Sequence, residues 1–242
     1  MHYNFINIIL DFIYQFTRSR RKIRSIRDTK SGTCIIVGNG PSLNKTDFQL
    51  VSKFDSFGLN RIHLMYNKTV WRPNYLVAVN HLVLRGLHDE EVLTKNTFVT
   101  FTFKLKNILT GKGVGMNHRN RNITPFVTPL ERGIEIGSTV TFVAMQLAFH
   151  MGYDTILLVG VDHSFKQQGR PNERQKLNGA DVNHFSEDYF SGQEWQLADL
   201  ENSEVHYCMA REWAKANGKR IYDCTVDGKL EVFPKRELQE FL

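Results

Sequence analysis

The side chains whose types and spacing could do chemistry are three asparagines, Asn39, Asn60 and Asn80, a hydroxyl pair, Ser138 and Thr139, and an acid beside an imidazole, Asp162 and His163. Each carboxamide offers both a donor and an acceptor, which suits a sugar, a base or a phosphate ester. Each asparagine closes a short apolar run that reads as a strand. In a parallel sheet the strand ends gather along one edge, so three such ends could converge on one ligand. Singly, each is a turn residue, and only the repetition points to a site. Asp162 has three readings: a ligand for a ribose hydroxyl, an orienter of a catalytic group, or a cap for the next turn.

The elements that must position these groups begin with Thr33–Val37, a β-branched run suited to a strand buried on both faces. It runs into Gly38-Asn-Gly-Pro-Ser42, a turn expected to present free N–H groups and the Asn39 amide at the sheet's carboxyl edge. The spacing is neither G-x-x-x-x-G-K-[ST] nor a full G-x-G-x-x-G, which weakens ordinary P-loop and dinucleotide readings. Thr46–Lys53 reads as a helix, and Ser56–Asn60, Asn74–Asn80 and Thr97–Phe103 read as strands. Lys104–Arg132, rich in Gly, Asn, Lys and Arg, reads as a long connection without regular structure. Ser138 or Thr139 can cap a helix that Gly152 stops. The strand Thr155–Val161 then delivers Asp162 to an edge at which that helix's N-terminus points. Glu201–Asn217 and Lys219–Cys224 close the domain as helix and strand.

Composition sets limits. A chain of 242 residues with 41% hydrophobic content can bury a core without disulfides, and three cysteines without a C-x-x-C pair indicate neither a disulfide framework nor a cysteine zinc site. The net charge of +6 resides mainly in residues 1–30, where seven Lys/Arg outweigh two Asp to give +5, leaving +1 for the rest. That distribution argues against nucleic acid as a partner. The division predicted is an amphipathic and basic segment over 1–30 and a single catalytic domain over 31–242. The segment's apolar part is too short to span a bilayer, which takes about 20 residues, and its charges follow the apolar run instead of preceding it as in a signal peptide. Two readings stand. The segment binds an anionic membrane surface, making the protein peripheral to the cytoplasmic face, or it packs on the body or on a second copy in a homo-oligomer.

Gly38-Asn-Gly-Pro-Ser-Leu43, Asn60, Asn80, Gly137-Ser138 and Gly152-Tyr-x-x-Ile-x-Leu-x-Gly-x-Asp162 together resemble two related groups over roughly residues 31–225. One is the bacterial sialyltransferases that use CMP-activated nonulosonic acids; the other is the MptE-like 6-hydroxymethylpterin diphosphokinases. The resemblance implies an α/β, Rossmann-like domain, mainly parallel with helices on both faces and a lid-like segment around 163–192. For the first group it implies an inverting glycosyltransferase with a CMP-sugar donor, a glycan or lipid-linked acceptor and no cofactor. Asn39, Gly40, Ser42, Asn60, Asn80, Gly137, Ser138, Thr139 and Asp162 would lie around the nucleotide, with His184 as general base and His163 as its rival. That family places tyrosines after the Gly-x-Asp strand to hold the departing phosphate. This chain has His163-Ser-Phe165 there, and Tyr189 is the substitute. For the second group the resemblance implies diphosphate transfer from ATP, with Mg²⁺ partly held by Asp162. A non-enzymatic nucleotide-binding protein is the third expectation.

Overall fold

The computed structural model describes residues 5–106, 112–118, 126, 129–166 and 168–242. The chain opens with two helices, α1 (Phe5–Gln15) and α2 (Arg18–Ser25), and enters the first strand, β1 (Thr33–Val37). There follow α3 (Phe48–Val51), β2 (Asp55–Leu59), β3 (Tyr75–Val77), α4 (His81–Asp89), β4 (Thr97–Thr100), α5 (Phe101–Lys106) and β5 (Val114–Met116). Helix α6 (Val140–Met151) leads to β6 (Thr155–Val159). A two-stranded excursion, β7 (Arg174–Lys176) and β8 (Glu194–Gln196), precedes α7 (Leu200–Ala216) and the last strand, β9 (Arg220–Asp223).

Seven strands form one parallel sheet in the order β5-β4-β3-β2-β1-β6-β9, while β7 and β8 pair antiparallel by themselves. This is the doubly wound, Rossmann-like α/β architecture expected. Alternation along the buried strands sorts side chains to two cores. Cys34, Ile36, Ile156 and Leu158 face the layer of α2, α6 and α7. Ile35, Val37, Leu157 and Val159 face α3, α4 and the segment carrying Phe185, Tyr189 and Trp195. The winding reverses between β1 and β6, and a crevice opens at their carboxyl ends because the two connections leave in opposite directions.

The structure corrects three expectations. The strand predicted over Thr97–Phe103 stops at Thr100, opposite Met116, and α5 starts at Phe101. Beyond that point no strand pairs with it among the described residues, and the backbone satisfies its hydrogen bonds as a helix. The connection Lys104–Arg132 holds β5 and a 3₁₀ turn at Leu130–Arg132, although much of it lies outside the described residues. β5 forms there because Val114 and Met116 are buried and Ser19 of α2 covers the edge, its Oγ accepting from the Gly115 amide at 2.9 Å. Finally, Asn80 lies beyond β3 and caps α4, its side-chain oxygen accepting from Leu82 N–H at 2.8 Å.

Candidate functional site

At the reversal point lies a cavity of about 520 Å³. The glycine turn after β1 forms part of its wall, and the turn after β6 lies beside it. The two turns are joined main chain to main chain: Gly38 N–H donates to Val159 O at 2.8 Å and Gly40 N–H to Gly160 O at 2.9 Å. Asp162 fastens them further, accepting from Ser42 N–H at 2.9 Å and Ser42 Oγ at 2.6 Å. Burial raises the Asp162 pKa above its ordinary value, opposed by these Ser42 hydrogen bonds. This arrangement corrects the expectation of free amides in the first turn: the N–H groups of Gly38, Gly40 and Ser42 are spent internally. Ser42 is absent from the cavity lining, and Gly40 and Asp162 are present. A side chain at Gly40 has no room, since a Cβ there would fall 1.8 Å from Asp162 Oδ2.

Asn39, Asn60 and Asn80 all reach this cavity. The Asn39 amide nitrogen donates to Leu59 O at 3.0 Å, bridging β1 to β2. Its Oδ1, and that of Asn60, are buried without a protein partner. A buried orphan acceptor costs on the order of 1–3 kcal/mol, and both of these belong to residues that line the cavity. Asn80 is committed differently, capping α4 and donating to Gln196 Oε1 at 2.7 Å.

The start of helix α6 also faces the cavity. Its N-cap is Thr139, whose Oγ1 accepts from Thr141 N–H at 3.3 Å and meets the Tyr207 hydroxyl at 3.2 Å. Ser138, Thr139, Val140 and Thr141 line the cavity. The helix start therefore presents first-turn N–H groups and the positive end of its dipole there. Gly137 is not in the lining and carries the bend, at φ +56° with Phe142 2.5 Å from where a Cβ would be. Four non-glycine residues of the cavity wall hold left-handed backbone, Asn60 (φ +48°), Ser138 (φ +52°), His163 (φ +55°) and Asn172 (φ +64°). Such conformations persist where surrounding contacts over-determine them, as at ligand sites.

The remaining wall is the segment after β6. His184 lines the cavity and lies on a buried acid, its Nδ1 2.8 Å from Asp181 Oδ2. Its ring stacks on Tyr189 at 3.9 Å between centroids and 3° between planes, with Phe190 and Trp195 edge-on. The next residue, Phe185, is pinned at both backbone groups: its N–H donates to Asn39 O at 3.0 Å and its carbonyl accepts from Asn44 Nδ2 and Lys68 Nζ. That fixes His184 beside the glycine turn, about 145 residues away in sequence. Tyr189 does not line the cavity. It is 1% exposed, and its hydroxyl accepts from Arg61 N–H at 3.2 Å. Burial raises its pKa. Packing thus uses the hydroxyl assigned to a departing phosphate.

His163 also lines the cavity, but its Nε2 meets Glu204 Oε1 at 2.8 Å. Sequence reasoning passed over four residues. Asp181 gave a local signal, standing three residues before His184. Arg61 and Glu90 gave none: the Arg61 guanidinium, nearly buried, donates to Tyr189 O, Gln193 Oε1 and Glu90 Oε1, tying the segment to β2. Arg174 is the one Lys or Arg lining the cavity among the described residues, and only the β7–β8 pairing brings it there.

The fold and site thus define a doubly wound α/β protein with a cavity of mixed polar and apolar lining at the strand-order reversal. No protein-family model matches the chain, and no curated protein matches it. Among solved structures, the MAf glycosyltransferase from Magnetospirillum magneticum AMB-1 is similar, with a TM-score of 0.53 and 14% identity, over 96% of this chain and 39% of that one. At that identity the likeness shows a shared fold, and this chain spans 39% of the length of that protein.

Proposed function

We propose that this protein is a glycosyltransferase that moves an acidic sugar from a CMP-activated donor to a hydroxyl of a glycan or lipid-linked acceptor, with inversion and without a metal. The observation that carries the reading is the Asp181–His184 pair in the cavity wall. A carboxylate on Nδ1 holds that nitrogen protonated and leaves Nε2 as the acceptor, the tautomer a general base needs. As the acceptor oxygen bonds to the anomeric carbon, the carbon–oxygen bond to the phosphate breaks. CMP departs with that electron pair, and the hydroxyl proton goes to His184 Nε2. The first-turn amides of α6 and the guanidinium of Arg174 suit the charge that accumulates on the leaving phosphate. The fold shared with a glycosyltransferase supports the class of reaction.

Diphosphate transfer from ATP with Mg²⁺ is the competing reading, and it asks Asp162 to hold a metal. Both Asp162 oxygens accept from Ser42, which favours the first reading. Thermal-shift measurements against CMP, CDP, UDP and ATP, with and without Mg²⁺, test the choice. Stabilisation by CMP without Mg²⁺ is expected. Stabilisation by ATP only with Mg²⁺ would overturn the proposal in favour of the diphosphokinase, and no response to any nucleotide would overturn both.

A further inference from the structure

Helix α1 is built the wrong way round for a helix that only packs on its own domain. Ile9, Phe12, Ile13 and Phe16 recur at i, i+3, i+4 and i+7, the spacing of one helix face, and all four are exposed, Phe12 at 66% and Phe16 at 72%. The Phe12 and Phe16 rings lie edge-on at 5.2 Å. The opposite side is anchored: Tyr14 is fully buried, its ring 4.9 Å from that of Phe101. Phe101 is the first residue past β4, so the helix lies by the carboxyl rim of the sheet, the rim that carries the cavity.

Helix α2 continues from Thr17, which caps it. Its Ser19, Ile23 and Ile26 side is buried, while Arg18, Arg21, Lys22 and Arg24 are exposed with no carboxylate partner among the described residues. Its inner side is held by Gly115 N–H on Ser19 Oγ and by His150 Nε2 on Ile23 O at 2.8 Å. A rigid mount therefore presents an apolar stripe next to unpaired cations.

We infer that α1 and α2 form a docking surface for an anionic lipid bilayer, the apolar stripe entering the headgroup boundary and the arginines and lysine meeting lipid charge. A bilayer fits better than a second copy of the chain, because a self-pairing face would bring two sets of like cations together. The basic excess in residues 1–30 complements a surface and not a neutral groove. No described helix is long and apolar enough to cross a membrane, and this mode of attachment needs none. Docked so, the cavity rim stands near the lipid surface, where a membrane-held acceptor would be met.

The test is co-sedimentation of the full chain with vesicles of phosphatidylcholine alone and of equimolar phosphatidylcholine and phosphatidylglycerol, at low and high salt, without any substrate. The expected result is binding to the anionic vesicles at least roughly tenfold tighter than to the neutral ones, weakening with salt. Phe12→Ser with Phe16→Ser, and separately Arg21→Gln with Lys22→Gln, each lose on the order of tenfold while unfolding at the parent temperature, since these side chains are exposed. A parent protein that stays in the supernatant with anionic vesicles overturns the inference. So does a phenylalanine variant that binds like the parent, or a dimer dissolved by that variant without vesicle binding. Transfer activity does not enter the readout, so this result stands or falls apart from the proposed reaction.

Discussion

On one side of the cavity, main chain holds main chain: the glycine turn and the end of β6 with its turn share two backbone hydrogen bonds and the Asp162–Ser42 clasp, over a pair of strands buried at all but Thr33. On the other side, a long excursion with little secondary structure is held by the backbone bond from Phe185 N–H to Asn39 O and otherwise by side chains: the His184–Tyr189 stack, Asn44 and Lys68 on the Phe185 carbonyl, the guanidinium of Arg61 and the buried rings of Phe185, Phe190 and Trp195. The difference separates stiffness from adjustability. A backbone clasp fixes ligand-facing atoms within the sheet's own tolerances. A wall fastened largely by side chains is the one that single substitutions should loosen. The two imidazoles follow the same division. His163, at the end of the stiff wall, is bonded through Nε2 to an exposed glutamate, whereas His184, on the adjustable wall, has its Nδ1 on a buried aspartate.

The largest expected effect is at that contrast. His184→Ala should lower kcat by roughly 10²–10⁴ while leaving CMP affinity close to that of the parent, and His163→Ala should do far less, checked by initial rates and calorimetric titration. Equal losses in the two variants would erase the distinction between the walls. Asp181→Asn should cost about 10² in kcat by letting the imidazole turn or change tautomer, with KM little altered.

Arg61→Met tests how much of the second wall hangs on one side chain. It leaves the Tyr189 carbonyl without its guanidinium donor and Glu90 with His63 alone, and a loss of about 1–3 kcal/mol in urea unfolding is expected, with faster proteolysis between 181 and 197. Gly40→Ala tests the stiff wall. Gly40 has φ −69°, which any residue adopts, so the added methyl acts only by driving Asp162 aside, at about 1–3 kcal/mol with weakened nucleotide binding. Proteolysis in that variant should leave 181–197 as resistant as in the parent.

The smallest effect lies outside both walls and supplies their background. His150 is buried, with Nδ1 accepting from Leu130 N–H and Nε2 bonded to Ile23 O, and burial lowers its pKa below the ordinary 6.5. A histidine depressed in the folded state takes up its proton more readily when unfolded. Its contribution is therefore complete above about pH 6.5 and is lost as pH falls through that value toward the folded one. Urea midpoints should fall between pH 7.5 and 5.5, and His150→Gln should flatten part of that slope; an unchanged slope would remove His150 from the account.

How much was legible differs by residue. The strands β1 and β6, the cap at Thr139 and the stop at Gly152 follow local rules, because β-branched runs, a hydroxyl before a helix and a left-handed glycine act within a few residues. Asn39, Asn60 and Asn80 were found by repetition, although Asn80 proved to be a helix cap as well. The amides of the glycine turn were misread because their acceptors, Val159 and Gly160, lie some 120 residues on. Tyr189 was misread because nothing near it announces Arg61. The end of β4 was misread because a strand stops where its neighbours stop, which its own residues do not record.

The sequence by itself determined a parallel α/β sheet with polar groups at its strand ends, since periodicity and turn chemistry are short-range and survive without knowing the partners. Only the tertiary structure decided which of those groups face a common space, that Asp162 clasps the first turn, and that Asp181 and Arg61 set the imidazole of His184 beside it. Those outcomes depend on hydrogen bonds and ring stacking between segments far apart along the chain, and such bonds exist only once the sheet has brought the segments together.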